Sequence, residues 1–274
     1  MRHRIIVNLI LIGAVIVLAV FLMNTGTQPG NPVIPLTSIA PQSIQRIDIK
    51  RAGRQDLGFR KIHGVWRMTK PLEVRANDNR INAMLQLLQA PSVSRLRARD
   101  HDLSRFELAP AAVVLREDAH EFLFGGTSPL QGRRYILSDD TIHLIQDGLY
   151  PQLLQGPAFF VSTRLIPEAT LLREISLPGY RLIYIDNTWQ ARAAPNLDGA
   201  ALERLAADWL KATAVSIGAQ EPAPAQGEVR ITTRNGEIMR FEILQREPLL
   251  KLARTDLGIT YTLPAGAAES LLLK

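Results

Sequence analysis

The sequence predicts an α+β protein: two tandem copies of an antiparallel-sheet-plus-helix unit behind an N-terminal transmembrane helix. Three observations predict it. Short runs that alternate apolar and polar residues, broken by turn residues, recur from residue 44 to the C-terminus. A Trp followed by a short polar run, a Pro and a capped amphipathic stretch occurs twice, at Trp66 and Pro71 and again at Trp189 and Pro195. The segment Ile5 to Met23 is apolar except for Asn8.

The apolar segment at residues 5–23 comes first in the chain. At about 1.5 Å per residue it matches a hydrocarbon core of about 30 Å. Arg2, His3 and Arg4 precede it, and no Lys or Arg follows until Arg46. That asymmetry predicts a single-pass anchor in the inner membrane, with a cytoplasmic N-terminus and the remainder in the periplasm. A cleaved signal peptide is the competing reading, with Val17-Leu18-Ala19 as its site. The apolar run continues through Val20-Phe21-Leu22, past the usual end of such a region. Residues 24–43 carry Pro29, Pro32, Pro35 and Pro41 and are expected to form an extended spacer.

The first unit is expected over residues 44–157. Gln45 to Lys50, Leu57 to Ile62 and Val65 to Met68 read as a meander ended by Pro71. Asn77 or Asp78 is a candidate N-cap for a helix from about 79 to 89, whose stripe is Ile81, Met84, Leu85 and Leu88. Trp66 is expected to pack between this helix and the sheet. Val93 to Arg99 alternates as a strand with Arg95, Arg97 and Arg99 on one face. Basic residues on an edge discourage edge-to-edge pairing; the same three are the candidate contact for an anionic partner or lipid headgroup. Asp100-His101-Asp102 reads as a capped turn, since a metal site would need a second cluster. Two hairpins follow, around Asp118 and around Ser138-Asp139-Asp140, with Gly125-Gly126 taken as a loop needing positive φ. Leu149, Leu153 and Leu154 suggest a short closing helix.

Residues 158–169 are expected to connect the units. The second unit, residues 170–274, repeats the order. Leu172 to Leu177, Tyr180 to Ile185 and the strand around Trp189 match the first meander. Asp198 caps a helix with the stripe Leu202, Leu205, Trp209 and Leu210. Asn235-Gly236 is a favoured hairpin turn. Leu249 to Ala253 and Ile259 to Leu263 form a last hairpin before a helix at Ala267 to Leu273. Trp66, Pro71, Trp189 and Pro195 are thereby read as structural markers of the repeat.

Composition narrows the chemistry. The chain has no Cys, which excludes disulfides, thiol catalysis and Cys-based zinc sites. The formal charge is +6; without Arg2 and Arg4 the balance is 30 basic against 26 acidic residues, a mild excess. Basic residues are not interleaved with aromatics, so no nucleic-acid partner is expected. No phosphate loop, nucleophile elbow, H-E-x-x-H or dinucleotide fingerprint is present. His63, His101, His120 and His143 are dispersed, and no carboxylate pair is nominated by spacing. The expectation is a non-enzyme with no catalytic residue, cofactor or metal.

One resemblance adds to this. Gly64-Val65-Trp66, Pro71, the capped helix, Phe106-Glu107-Leu108-Ala109-Pro110, Phe124-Gly125 and Arg134-Tyr135-Ile136 together resemble a bacterial family of membrane-anchored envelope proteins. That family is known mainly as a domain of unknown function, with members often encoded near gliding-motility-type ABC transporter components. The resemblance covers residues 44 to 160 best. The family usually has Gly where this chain has Glu107, and it supplies no catalytic residues. It implies a scaffold or accessory subunit of a membrane complex, possessing a membrane-protein partner. A binding module for an anionic glycan or lipid headgroup is the alternative, and an unrecognised enzyme the remaining one.

Overall fold

A computed structural model describes residues 34–129, 132–193 and 197–272. The first part contains β1 (Ile34–Pro35), β2 (Arg46–Arg51), β3 (Leu57–Ile62), β4 (Val65–Lys70), β5 (Val74–Arg75), α1 (Asp78–Leu85), β6 (Pro91–Ser92), β7 (Ser94–Arg97), β8 (Val113–Glu117), β9 (His120–Thr127), β10 (Arg134–Ser138), β11 (Thr141–Ile145) and α2 (Tyr150–Leu153). The second contains β12 (Leu172–Leu177), β13 (Tyr180–Ile185), β14 (Thr188–Arg192), α3 (Gly199–Lys211), β15 (Ser216–Ala219), β16 (Glu228–Thr233), β17 (Ile238–Gln245), β18 (Lys251–Arg254), β19 (Ile259–Thr262) and α4 (Ala267–Leu272). The class is α+β with strands dominant. Among the described residues no helix is long and apolar enough to cross a membrane. The anchor expected at residues 5–23 lies outside them, as does Pro195.

The strands form three antiparallel sheets. The large ones follow β5-β4-β3-β2-β8-β9-β10-β11-β7 and β14-β13-β12-β16-β17-β18-β19-β15, and β1 pairs with β6 alone. The two long orders agree strand for strand once β5 is set aside. In each, the helix-bearing stretch interrupts the meander, and a strand that follows the helix lies at the far edge, as β7 and β15.

Local chemistry explains the elements. Asn77 accepts hydrogen bonds from the Asn79 and Arg80 amides at 3.1 and 3.3 Å, and Asp198 from the Ala201 amide at 2.7 Å. Each side chain thus satisfies amides that a first helical turn leaves open. α1 buries Ile81, Met84 and Leu85 and then tightens into a 3-10 turn at Gln86–Gln89, while α3 buries Leu202, Leu205, Ala206 and Trp209. Trp209 donates its indole N–H to the Leu271 carbonyl at 2.9 Å, tying α3 to α4. Gly236 holds φ of +88° as the last residue of a three-residue loop, 234–236, since the Thr233 amide donates across it to the Glu237 carbonyl.

Three expectations are corrected. The strand expected over 93–99 stops at Arg97, because Ala98–Asp100 turns as a 3-10 helix that buries Ala98. Residues 34–43 are not free spacer: Leu36 is buried, and Leu36 and Thr37 donate backbone hydrogen bonds to Ala90 and Leu88. Gly125 and Gly126 do not form a positive-φ loop but lie inside β9.

The connector is stitched into both sheets. On one side the Asn77 amide donates to Phe160, and the Ser162 amide to Arg75. On the other the Ala214 amide donates to Thr163, and the Leu165 amide to Ala212. Phe160, Val161, Leu165 and Ile166 are buried, and one continuous apolar cluster contains them with the cores of both sheets.

Candidate functional site

Two concave regions stand out. The first sits under the 3-10 turn at Leu103–Phe106, on the face of the first sheet opposite α1. It is a polar cleft of about 390 Å³, whose lining includes His101, Asp102, Arg105, Glu107, Thr127 and Tyr135. Asp102 caps the turn, accepting from the Ser104 amide at 3.0 Å and its hydroxyl at 2.7 Å. Those bonds hold its carboxyl below the ordinary carboxylate range. Phe106 stands edge-on to Tyr135 at 4.9 Å and to His101 at 5.9 Å.

The Phe106-Glu107-Leu108 motif is explained by this geometry. Glu107 adopts φ of +57°, the left-handed conformation that glycine takes most easily. The family's usual Gly is therefore replaced without loss of the turn. The turn lies so close to β9 that a Cβ on Gly125 would overlap the Phe106 carbonyl oxygen and stand 2.9 Å from Leu108. Gly125 is needed for close approach, not for its dihedral angle. Its carbonyl accepts from Arg134, which also pairs with Asp147 at 2.8 Å and lies 3.7 Å over the Tyr150 ring. Thus Arg134-Tyr135 and Phe124-Gly125 belong to one packing assembly. The cleft holds charges of both signs.

The second region lies between the two halves. It is a cleft of about 600 Å³, mainly apolar, lined by Pro71, Leu72 and the 3-10 turn Pro157–Phe160 on one side. β15 and Leu257 to Ile259 form the other. β15 ends its sheet, and its Ser-Ile-Gly-Ala sequence carries no charge. The corresponding edge, β7, carries Arg95 and Arg97. A smaller cleft of about 330 Å³ flanks β15 through Glu221, Leu244 and Lys251.

The candidate arginines do not form one stripe. Arg95 and Arg97 project from the same face of β7, and Arg99 falls in the following turn beside Asp100 at 3.9 Å. Arg95 donates to the Pro35 carbonyl at 2.7 Å. All three are exposed. Trp66 and Trp189 are buried at matching places in β4 and β14, Trp189 standing 5.2 Å from Tyr184. Pro71 lines the cleft between the halves.

Two buried titratable groups had no signature in the sequence. Glu117 is fully buried at the end of β8, and neither carboxyl oxygen has a hydrogen-bond partner. Burial, reinforced by Asp118, pushes it up to about 8, so it is protonated at neutral pH. Only its inward place in the Val113, Leu115, Glu117 alternation could have flagged it. His143 bonds Ser92 through Nδ1 at 3.0 Å; burial, then the Arg95 charge, push it down to about 4.

The fold and these surfaces define a strand-rich α+β protein with two similarly ordered sheets around one core. The family model described as Domain of unknown function (DUF4340) matches residues 66–233, and the chain belongs to that family. The match begins at Trp66 in β4 and ends at Thr233 in β16, so it runs beyond the first sheet into the second. No curated protein matches the chain, and no solved structure does.

Proposed function

We propose that this protein is a non-catalytic envelope component: a single-pass, inner-membrane-anchored, periplasm-facing scaffold or accessory subunit of a membrane complex, built from two copies of one α+β unit. The anchor rests on the apolar run at residues 5–23 and its charge asymmetry. The duplication is supported by the matching strand orders. An ABC transporter as the partner follows from the family resemblance alone.

The observation that carries the scaffold reading is the uncharged edge β15 bordering the cleft between the halves. A free strand edge is a template for an added strand unless charge or Pro blunts it. Here the β7 edge carries charge, and the β15 edge, which faces the 3-10 turn Pro157–Phe160, does not. The test is recovery of membrane partners with the full-length chain from mild detergent, beside an Ile217→Lys variant. The expected outcome is a reproducible membrane-protein partner, lost from the variant while its thermal midpoint is kept. Equal recovery with both chains, or a lone monomer from the native chain, would overturn the reading.

A further inference from the structure

The open faces of both large sheets carry arginines in lines that run across the strands. In the first sheet Arg46 on β2 stands opposite Arg60 on β3, Arg60 opposite Arg67 on β4, and Arg67 opposite Arg75 on β5. In the second, Arg192 on β14 faces Arg181 on β13, Arg181 faces Ser176 on β12, Ser176 faces Arg230 on β16, and Arg230 faces Arg240 on β17. Five Arg–Arg pairs are thus directly opposed across adjacent strands.

Like charges directly opposite one another destabilise a sheet, so each line costs stability in the isolated protein. Neighbouring acids relieve only part of it. Arg46 pairs with Asp48 at 2.6 Å, Arg75 with Asp78 at 2.7 Å and Arg230 with Glu228 at 3.0 Å, while Arg181 reaches Glu174 only at 3.9 Å. Arg60, Arg67, Arg192 and Arg240 have no hydrogen bond or ion pair from their side chains among the described residues. The same device occurs on both sheets.

We infer that these two arginine lines are binding tracks for a linear anionic glycan. Strands lie about 4.8 Å apart, so the lines extend roughly 14 and 19 Å. In the first line a charge stands on every strand, and in the second Ser176 leaves one strand uncharged between two Arg pairs, a repeat along one direction that suits a linear polymer carrying acidic groups at intervals. Guanidinium forks match carboxylate and phosphate oxygens two at a time. A bilayer is the weaker fit: a twisted sheet meets a plane along a limited ridge, whereas a flexible polymer follows the twist. This assignment does not depend on the β15 edge, and it moves the anionic contact away from Arg95, Arg97 and Arg99.

The test uses the full-length chain in a neutral detergent, titrated with polygalacturonate, with neutral dextran, and with micelles containing an anionic phospholipid. Polygalacturonate should bind, weakening steeply between about 50 and 200 mM salt, while dextran should not. The pairs Arg60→Gln with Arg67→Gln and Arg181→Gln with Arg192→Gln should each weaken binding about tenfold and flatten its salt dependence. Both should leave the thermal midpoint unchanged or raised, since they remove opposed charges. Unchanged affinity in both variants would overturn the inference. So would binding only to the anionic micelles, or loss of binding that follows loss of folding.

Discussion

Glu117 shows what one buried group can impose on a small core. Its carboxyl is held neutral inside the first sheet, with its affinity for a proton raised from 4.5 to about 8 by burial and by Asp118. Below pH 4.5 the folded and unfolded chains both hold this proton, and its stabilising contribution is complete. Between 4.5 and 8 the unfolded chain releases the proton while the folded chain keeps it, so stability falls as pH rises. Above 8 nothing further is lost. At about 1.4 kcal/mol per pH unit, the loss approaches about 5 kcal/mol over that window. Glu117→Gln should remove this slope: urea midpoints at pH 5 and pH 8.5 should converge in the variant and diverge in the native chain. Parallel behaviour of the two chains would show that Glu117 ionises freely when folded.

At the scale of elements, the contact between β9 and the turn at Leu103–Phe106 is the tightest constraint. Gly125 leaves room for the Phe106 carbonyl and Leu108, and its own carbonyl receives Arg134. Gly125→Ala must push that turn away from the sheet. A cost of about 2 kcal/mol or more is expected, as for other overpacked sites, with loosening of Phe106 against Tyr135. Hydrogen exchange should therefore rise first in residues 103–108. A variant as stable as the native chain, with unaltered exchange there, would remove the close-approach account. The sequence flagged Gly125 but supplied the wrong reason. A glycine admits either an unusual dihedral or a near neighbour, and only the approach of a segment almost twenty residues earlier decides between them.

At the scale of the molecule, the connector joins the two sheets into one core. Phe160 is buried between them; its ring is 5.5 Å from Phe59, and its carbonyl receives the Asn77 amide. Phe160→Ala should cost about 3–5 kcal/mol. The two halves should still melt together, so tryptophan fluorescence and far-UV circular dichroism should report one transition. Two resolved transitions in the native chain would mean that the halves fold independently.

The sequence by itself determined the strands and helices whose signals are local. Alternation marked β2 to β4 and β12 to β14, Asn77 and Asp198 marked the starts of α1 and α3, and Asn235-Gly236 marked a hairpin. These features depend on residues within a few positions of one another. Trp66 and Trp189, legible as paired markers, are both buried. The Arg95 to Arg99 stripe was misread because alternation cannot show where a strand ends when the next turn is fixed by burial of Ala98. The tertiary structure alone decided which strands become neighbours, that the connector is buried, that Glu117 has no partner, and that arginines from eight strands fall into two lines. Such cross-strand positions are set by register, which couples residues far apart in the chain and leaves no periodic trace along it.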